Sequence, residues 1–203
     1  MYALYLITDS TAPERIPEKV AAALRGAPPG SVLVQLRAKN CPPAQLYDIG
    51  LALRELCTAH GAGFVCSDRA DLAQAVAADG VQLPERALPA AVVRRLLGER
   101  ALIGVSCHDA AGLAAAASGG ASFATLSPVF ASPGKGEPLG LARFSALVRA
   151  ASLPVYALGG VDVAHARALK AEGAAGLAVI SAVFSSQDPA AAVSDLLAAW
   201  RAS

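Results

Sequence analysis

An amide and two basic side chains alternate with apolar residues in the segment Gln35-Leu36-Arg37-Ala38-Lys39, directly after an apolar run. Residues two apart on an extended chain point to the same side, so all three polar side chains face one direction. A guanidinium offers an anion a two-pronged hydrogen bond, and an ammonium offers a point charge. Because an uncompensated buried charge is costly, the segment predicts an anion site. Internal ion pairs with Asp or Glu of neighbouring strands are the alternative.

A second anion site is predicted between residues 154 and 181. This stretch reads as two short apolar strands on either side of a helix, the first ending in Gly159-Gly160 and the second in Ile180-Ser181. Backbone amides at strand ends are suited to hold a phosphate when glycine leaves them uncovered and a helix N-terminus follows. The second site therefore depends on the backbone, whereas the first depends on side chains.

A third cation, Lys135, lies in the long segment Ser132-Pro133-Gly134-Lys135-Gly136. The segment is not a P-loop, because that motif requires Ser or Thr after the lysine. Loops of this length in a compact domain are often functional, and we expect Lys135 to reach the same anion. An exposed, flexible lysine is the alternative.

Polar residues also follow two other predicted strands. Asp68, after Ser67, is either a helix N-cap or a contact to magnesium or to a ligand ring. Ser106 lies two residues before His108, but this pair lacks the flanking glycines of a nucleophile elbow. We therefore expect Ser106 to donate a hydrogen bond to a ligand phosphate, and Arg86 to face solvent.

These residues need a scaffold that brings strand ends together, and the chain predicts one. Eight strand-then-helix units follow one another without a hairpin signal, which indicates a parallel sheet covered by helices. Closure of that sheet gives a (β/α)8 TIM barrel, with an open doubly wound sheet as the alternative. In a barrel the functional groups lie at the carboxyl ends of the strands. The predicted strands cover residues 2–8, 31–36, 63–66, 80–83, 102–105, 122–126, 155–158 and 177–180.

Composition limits the classes of function. The 203 residues suit a single α/β domain over 1–203, and a net charge of +1 gives no basic field for nucleic acid or an anionic membrane. No apolar run approaches the roughly 18 residues that span a bilayer, and no secretory signal is evident, so we expect a cytoplasmic protein. The four cysteines form no C-x-x-C pair, which argues against a zinc or redox site and predicts buried free thiols.

Six ordered motifs resemble those of thiamine phosphate synthases and their thiazole tautomerase relatives, and together they extend over nearly the whole chain. They are Gln35-Leu36-Arg37-Ala38-Lys39, Ser67-Asp68-Arg69, Gly104-Val105-Ser106-Cys107-His108, Ser127-Pro128-Val129-Phe130 through Lys135, Leu158-Gly159-Gly160, and Ile180-Ser181.

The resemblance implies a thiamine biosynthesis transferase, a homodimer, that joins hydroxymethylpyrimidine diphosphate to a thiazole phosphate and releases pyrophosphate. In that family pyrophosphate leaves first and the thiazole nitrogen captures the pyrimidine carbocation, so cations and donors are needed and a protein nucleophile is not. The residues that would hold the pyrimidine diphosphate are Gln35, Arg37, Lys39, Ser67, Ser106 and Lys135. Those that would hold the thiazole phosphate are Ser132, Gly134, Gly159, Gly160, Ile180 and Ser181.

Departures from the family pattern leave alternatives open. Ser67 replaces the usual Asn, and Ala87 stands where a second magnesium carboxylate is expected, so Mg²⁺ would depend on Asp68 with Glu85 as an offset substitute. The tautomerase branch aromatises a carboxythiazole phosphate by metal-free proton transfer. Its usual base would fall at Pro128, and His108 is the histidine placed to substitute. A non-catalytic binder of thiazole or thiamine phosphate is the third alternative.

Overall fold

The structure is a computed structural model that describes residues 1–9 and 11–202. Eight parallel strands form a closed barrel in sequence order, and β1 pairs with β8 to complete the ring. This closure confirms the predicted TIM barrel and excludes the open sheet. The strands are β1 Leu4–Ile7, β2 Val32–Leu36, β3 Gly63–Ser67, β4 Gly80–Leu83, β5 Leu102–Cys107, β6 Phe123–Leu126, β7 Val155–Leu158 and β8 Gly176–Val179.

A helix follows every strand, and several helix ends carry a local signal. Asp109 and Asp162 accept hydrogen bonds from Gly112 and His165 backbone amides, and Gly61 ends α2 with a φ of 62°. The helices are α1 Ile16–Leu24, α2 Pro43–His60, α3 Ala70–Ala75, α4 Ala90–Leu97, α5 Ala110–Ser118, α6 Gly140–Ala150, α7 Val163–Ala171, α8 Ser181–Phe184 and α9 Pro189–Arg201, with a 3-10 turn at Pro13–Arg15. Within the described ranges, no helix is long and apolar enough to cross a bilayer.

The barrel interior is filled by an aromatic cluster. The rings of Tyr5, Phe123 and Tyr156 lie edge to face, with centroids 5.4 to 5.7 Å apart. The Tyr156 hydroxyl donates to the backbone oxygen of Tyr2, toward the amino ends of the strands. The Tyr5 hydroxyl instead donates to the side chain of Gln82. The cluster therefore closes the barrel below a polar layer at the carboxyl ends.

Candidate functional site

A cavity of about 770 Å³ opens at the carboxyl ends of the strands. Most of the predicted site residues line it, although their strands are far apart in sequence. Those lining it are Gln35, Arg37, Lys39, Ser67, Asp68, Ser106, His108, Ser132, Lys135, Gly159 and Ile180. Gly134, Gly160 and Ser181 are not part of its lining, although each is next in sequence to a lining residue.

The basic segment after β2 forms one side of the cavity. Gln35 is buried within β2, Arg37 is half-buried just beyond it, and Lys39 is exposed at the rim. The hydroxyl of Thr8, fully buried at the end of β1, donates to the Arg37 carbonyl at 2.9 Å and accepts from the Arg37 amide at 2.8 Å. The end of β1 therefore fixes the backbone that carries Arg37.

The long loop after β6 forms the opposite rim and is bound to the end of β7. Its Val129 amide donates to the Leu158 carbonyl at 2.9 Å, and its Phe130 amide donates to the Gly159 carbonyl at 3.0 Å. Farther along, the Lys135 amide donates to the Ser132 carbonyl at 3.2 Å. This turn brings Ser132 and Lys135 to the cavity together.

Gly159 and Gly160 allow this loop to approach. Their φ angles are 96° and 63°, a region that L side chains rarely adopt. A Cβ atom on Gly159 would lie 2.8 Å from Pro128 Cα, and one on Gly160 would lie 2.5 Å from the Ala131 carbonyl oxygen. Gly160 thus acts on the site through loop packing rather than by lining the cavity.

The end of β8 differs from the prediction in one respect. The strand stops at Val179, and Ile180 leads into α8, a single helical turn that the sequence did not indicate. The Ile180 carbonyl accepts from the Val183 and Phe184 amides at 3.2 and 3.0 Å. Ile180 lines the cavity, whereas Ser181 is exposed at the start of α8.

His108 is exposed at the cavity mouth just after β5. Its Nδ1 lies 2.5 Å from the Ser127 carbonyl oxygen. Because a carbonyl only accepts, Nδ1 carries the proton and Nε2 of the neutral ring is left as an acceptor. The contact fixes the ring at the junction of β5 and the long loop.

Two buried polar residues of the cavity floor were not among the predicted site residues. Gln82 and Thr125, 4% and 1% exposed, lie inside the otherwise apolar strands β4 and β6. Buried polar groups need hydrogen-bond partners, so a lone polar residue in an apolar strand was a usable signal. Arg86 is exposed as expected, but it also lines the cavity mouth, as does Glu85.

The cysteines are free, as predicted, and Cys57, Cys66 and Cys107 are buried, while Cys41 is half-buried beside the cavity. Burial raises the pKa of the Cys66 thiol to about 12 and that of Cys107 to about 11. Burial also raises the pKa of Cys41. These thiols stay protonated near neutral pH and are unsuited to act as nucleophiles.

The carboxylates at the mouth suit a cation shared with a bound phosphate. Asp68 has a φ of 59° and precedes Arg69, the N-cap residue of α3, so the N-cap alternative for Asp68 is wrong. Asp68 and Glu85 both line the cavity, whereas Ala87 packs against the core under α4. In the described part of the chain, no group of three or more His, Cys, Asp or Glu is arranged around a common metal position. Mg²⁺ is commonly held by one or two carboxylates plus substrate phosphates, and Asp68 with Glu85 fits that pattern.

Comparison with known proteins gives one consistent family. Residues 4–183 match the family model described as thiamine monophosphate synthase. A putative thiamine-phosphate synthase of Geobacter sulfurreducens is 43% identical over 97% of this chain and 93% of its own length. A thiamine-phosphate synthase of Laribacter hongkongensis is 42% identical over 97% of this chain and 94% of its own. Thiamine phosphate pyrophosphorylase from Pyrococcus furiosus superposes with a TM-score of 0.88 at 34% identity, covering 98% of this chain and 95% of that one.

Proposed function

The chain belongs to the thiamine monophosphate synthase family, and we propose that it joins hydroxymethylpyrimidine diphosphate to a thiazole phosphate, releasing pyrophosphate and forming thiamine phosphate. The single observation that supports the proposal is that one cavity is lined both by three cationic side chains and by the glycine backbone after β7. Arg37 and Lys39 follow β2, and Lys135 lies on the long loop of the opposite rim; these three cations form the cationic side. The Gly159 backbone and Ile180 follow β7 and β8 and form the glycine side. Two phosphorylated substrates need two such sides.

The reaction requires a leaving group to be stabilised and a nucleophile to be positioned. The bond between the pyrimidine methylene carbon and the diphosphate oxygen breaks, and its electron pair leaves on pyrophosphate. The lone pair of the thiazole nitrogen then forms the new carbon–nitrogen bond. The protein itself needs no nucleophile for these steps, and the raised pKa values of the Cys66 and Cys107 thiols agree with this chemistry.

The cationic side is assigned to the pyrimidine diphosphate. The Arg37 guanidinium can bind two diphosphate oxygens at once, and Lys39 and Lys135 add point charges where negative charge grows. Gln35, Ser67 and Ser106 lie deeper in the same cavity and supply uncharged hydrogen-bonding groups. His108 needs no proton-transfer role in this reaction and instead contacts the loop that carries Lys135.

The glycine side is assigned to the thiazole phosphate. Its amides follow β7 and β8, and Ser132 of the long loop lines the same cavity. Gly134 shapes the Ser132–Lys135 turn through its φ of 71°, and Ser181 lies at the edge of the site. A separate pocket for this phosphate keeps the thiazole nitrogen free to face the pyrimidine carbon.

We propose that a magnesium ion binds only together with the diphosphate. Asp68 and Glu85 would hold it, and it would neutralise part of the diphosphate charge. The relatives bearing the synthase name do not favour the tautomerase alternative, and they support a catalytic protein over a pure binder. A homodimer and a cytoplasmic location stay predictions, and sedimentation of the purified chain tests the first.

The proposal is tested by incubating the protein with hydroxymethylpyrimidine diphosphate, thiazole phosphate and Mg²⁺. We expect thiamine phosphate and pyrophosphate in equal amounts, and a lower rate when EDTA removes the metal. Each substrate alone is the control. No thiamine phosphate at high enzyme concentration, or product that needs only one of the two substrates, contradicts the proposed function.

A further inference from the structure

The floor of the cavity contains a chain of hydrogen bonds with a fixed direction. We propose that Tyr5 and Gln82 are positioning residues that hold the hydroxyls of Ser106 and Thr125 as hydrogen-bond donors toward the substrate. The inference rests on the proposed function, in which Ser106 contacts the pyrimidine diphosphate. Tyr5 and Gln82 would then set the donor-to-acceptor direction of the hydrogen bonds in the floor.

The register of β4, β5 and β6 brings the hydrogen-bonded residues together. Gln82 on β4 pairs with Gly104 on β5, and Ser106 on β5 pairs with Thr125 on β6. A Cβ atom on Gly104 would lie 2.2 Å from Gln82 Oε1. The glycine therefore leaves the space in which the Gln82 amide crosses β5 to reach its neighbours.

The direction of the chain begins at Tyr5. Its ring is fully buried among Phe123 and Tyr156, and its hydroxyl donates to Gln82 Oε1 at 3.0 Å. With Oε1 engaged in this way, Gln82 Nε2 donates to Ser106 Oγ at 3.1 Å and to Thr125 Oγ1 at 3.5 Å. The reverse amide orientation would leave the Tyr5 proton in the aromatic cluster, where a buried donor is costly.

The direction of these hydrogen bonds determines what the Ser106 and Thr125 hydroxyls can do. A serine or threonine hydroxyl has one proton to donate and two lone pairs that accept. Because both hydroxyls accept from Gln82, their protons are available to another acceptor, and both residues line the cavity. The floor thus offers protons to substrate acceptors, which are the diphosphate oxygens or the ring nitrogens of the pyrimidine.

Gln82→Glu tests the direction, because the shape is kept while the donor becomes an acceptor. Once ionised, the carboxylate of this variant can only accept, so it would draw the Ser106 and Thr125 protons away from the substrate. Because burial raises the pKa of a carboxyl group, the loss should grow with pH. We expect kcat/KM for the pyrimidine diphosphate to fall about a hundredfold, against about tenfold for Gln82→Met, which removes the bonds without reversing them. The KM for the thiazole phosphate should not change in either variant. Equal losses in the two variants, or a matching rise in the thiazole phosphate KM, would overturn the proposal.

Tyr5→Phe tests the origin of the chain, with Tyr156→Phe as the matched control. Both lose one buried tyrosine hydroxyl from the same cluster, but the Tyr156 hydroxyl is bonded to the Tyr2 backbone, away from the cavity. We expect about a tenfold loss of kcat/KM in Tyr5→Phe alone, at similar losses of thermal stability. Inhibition by inorganic pyrophosphate identifies the substrate acceptor. If the floor donates to diphosphate oxygens, inhibition of Tyr5→Phe should weaken by the same factor as its kcat/KM. If the floor donates to the pyrimidine ring nitrogens, inhibition should stay unchanged.

A spectroscopic readout separates this inference from the proposed function. The Gln82 side-chain amide signals in an NMR spectrum should shift and exchange faster in Tyr5→Phe and stay unchanged in Tyr156→Phe. A wild-type protein without thiamine phosphate synthesis would reject the proposed function, yet these signals would still report the chain of hydrogen bonds. Unchanged Gln82 signals in a folded Tyr5→Phe protein would overturn the inference.

Discussion

The two proposed anion sites of the cavity are built by different means. The cationic side uses the long side chains of Arg37 and Lys39 after β2 and, across the mouth, that of Lys135, all of which line the cavity. The β7 side uses Gly159 and Gly160, where the backbone of the long loop packs close to the chain. On the cationic side, the charged groups take little part in packing the fold. On the β7 side, Gly159 lines the cavity and also packs against the long loop, and Gly160 packs against that loop beside it.

Because the two sides are built differently, substitutions on the cationic side should lower activity, and substitutions at the glycines should lower stability as well. Trimming an exposed cation removes substrate contacts and leaves the barrel core unchanged. Adding an atom to a packed glycine forces the loop away and changes binding and stability together.

The largest effect is expected for Arg37→Ala. Removal of the guanidinium eliminates a charge-assisted, two-pronged contact to the leaving diphosphate, so kcat/KM for the pyrimidine diphosphate should fall about a hundredfold. Thermal unfolding should change little. Steady-state kinetics with Arg143→Ala, which removes an exposed cation on α6, provide the control. A loss below about threefold would remove Arg37 from the site.

Gly160→Ala should act through both binding and stability. The new Cβ would meet the Ala131 carbonyl oxygen at 2.5 Å in a backbone with φ of 63°. We expect about a tenfold rise in the KM for the thiazole phosphate and about 2 kcal/mol lower unfolding free energy. Gly120→Ala is the control, because φ there is 78° with no atom within 4 Å of the new Cβ.

The control should lose stability without losing affinity for the thiazole phosphate. Denaturant unfolding and substrate kinetics on the two glycine variants separate strain from loop displacement. Equal KM values in Gly160→Ala and Gly120→Ala would show that loop contact at Gly160 does not shape the phosphate site.

Thr8→Val examines how the cationic side depends on the fold. The substitution keeps the side-chain shape but leaves the Arg37 amide and carbonyl without the Thr8 hydroxyl partner. We expect about 2 kcal/mol lower stability and about a fivefold lower kcat/KM, since Arg37 is displaced rather than removed. Thr8→Ser retains the hydroxyl and should restore most of the activity. Failure of Thr8→Ser to differ from Thr8→Val would argue against this hydrogen-bonded role.

His165→Ala should have the smallest effect. The imidazole on α7 stacks on Phe130 of the long loop, with centroids 3.8 Å apart, and its Nδ1 lies 2.8 Å from an Asp162 carboxylate oxygen. Loss of the stack should loosen the loop and raise the KM for the thiazole phosphate about threefold. His165→Phe keeps a ring there and should remain near wild type. Equal KM values for the Ala and Phe variants would exclude a role for stacking.

Much of the fold could be predicted because its signals are local. Apolar runs at Gly80–Leu83 and Val155–Leu158 match their strands at both ends, and Asp188 caps α9 by accepting from the Ala191 amide. Other boundaries depend on partners distant in sequence. β5 extends to Cys107 because that residue pairs with Leu126 on β6, which an apolar run ending at Val105 does not reveal.

The same distinction applies to the site. The basic residues after β2 and the glycines after β7 are visible in the sequence, because charge and glycine stand out at strand ends. Gln82 was missed because its role depends on contacts with Tyr5, Ser106 and Thr125, which come from three other strands. Thr8 was missed for the same reason, since its hydrogen-bond partner Arg37 lies 29 residues away, just after β2.

The most direct test of the two-sided cavity is the pair of Michaelis constants, one for each substrate, measured in Arg37→Ala and in Gly160→Ala. We expect Arg37→Ala to change the constant for the pyrimidine diphosphate and to leave that for the thiazole phosphate unchanged, and Gly160→Ala to do the reverse. If both variants raise both constants by the same factor, the cavity does not contain two separate anion sites.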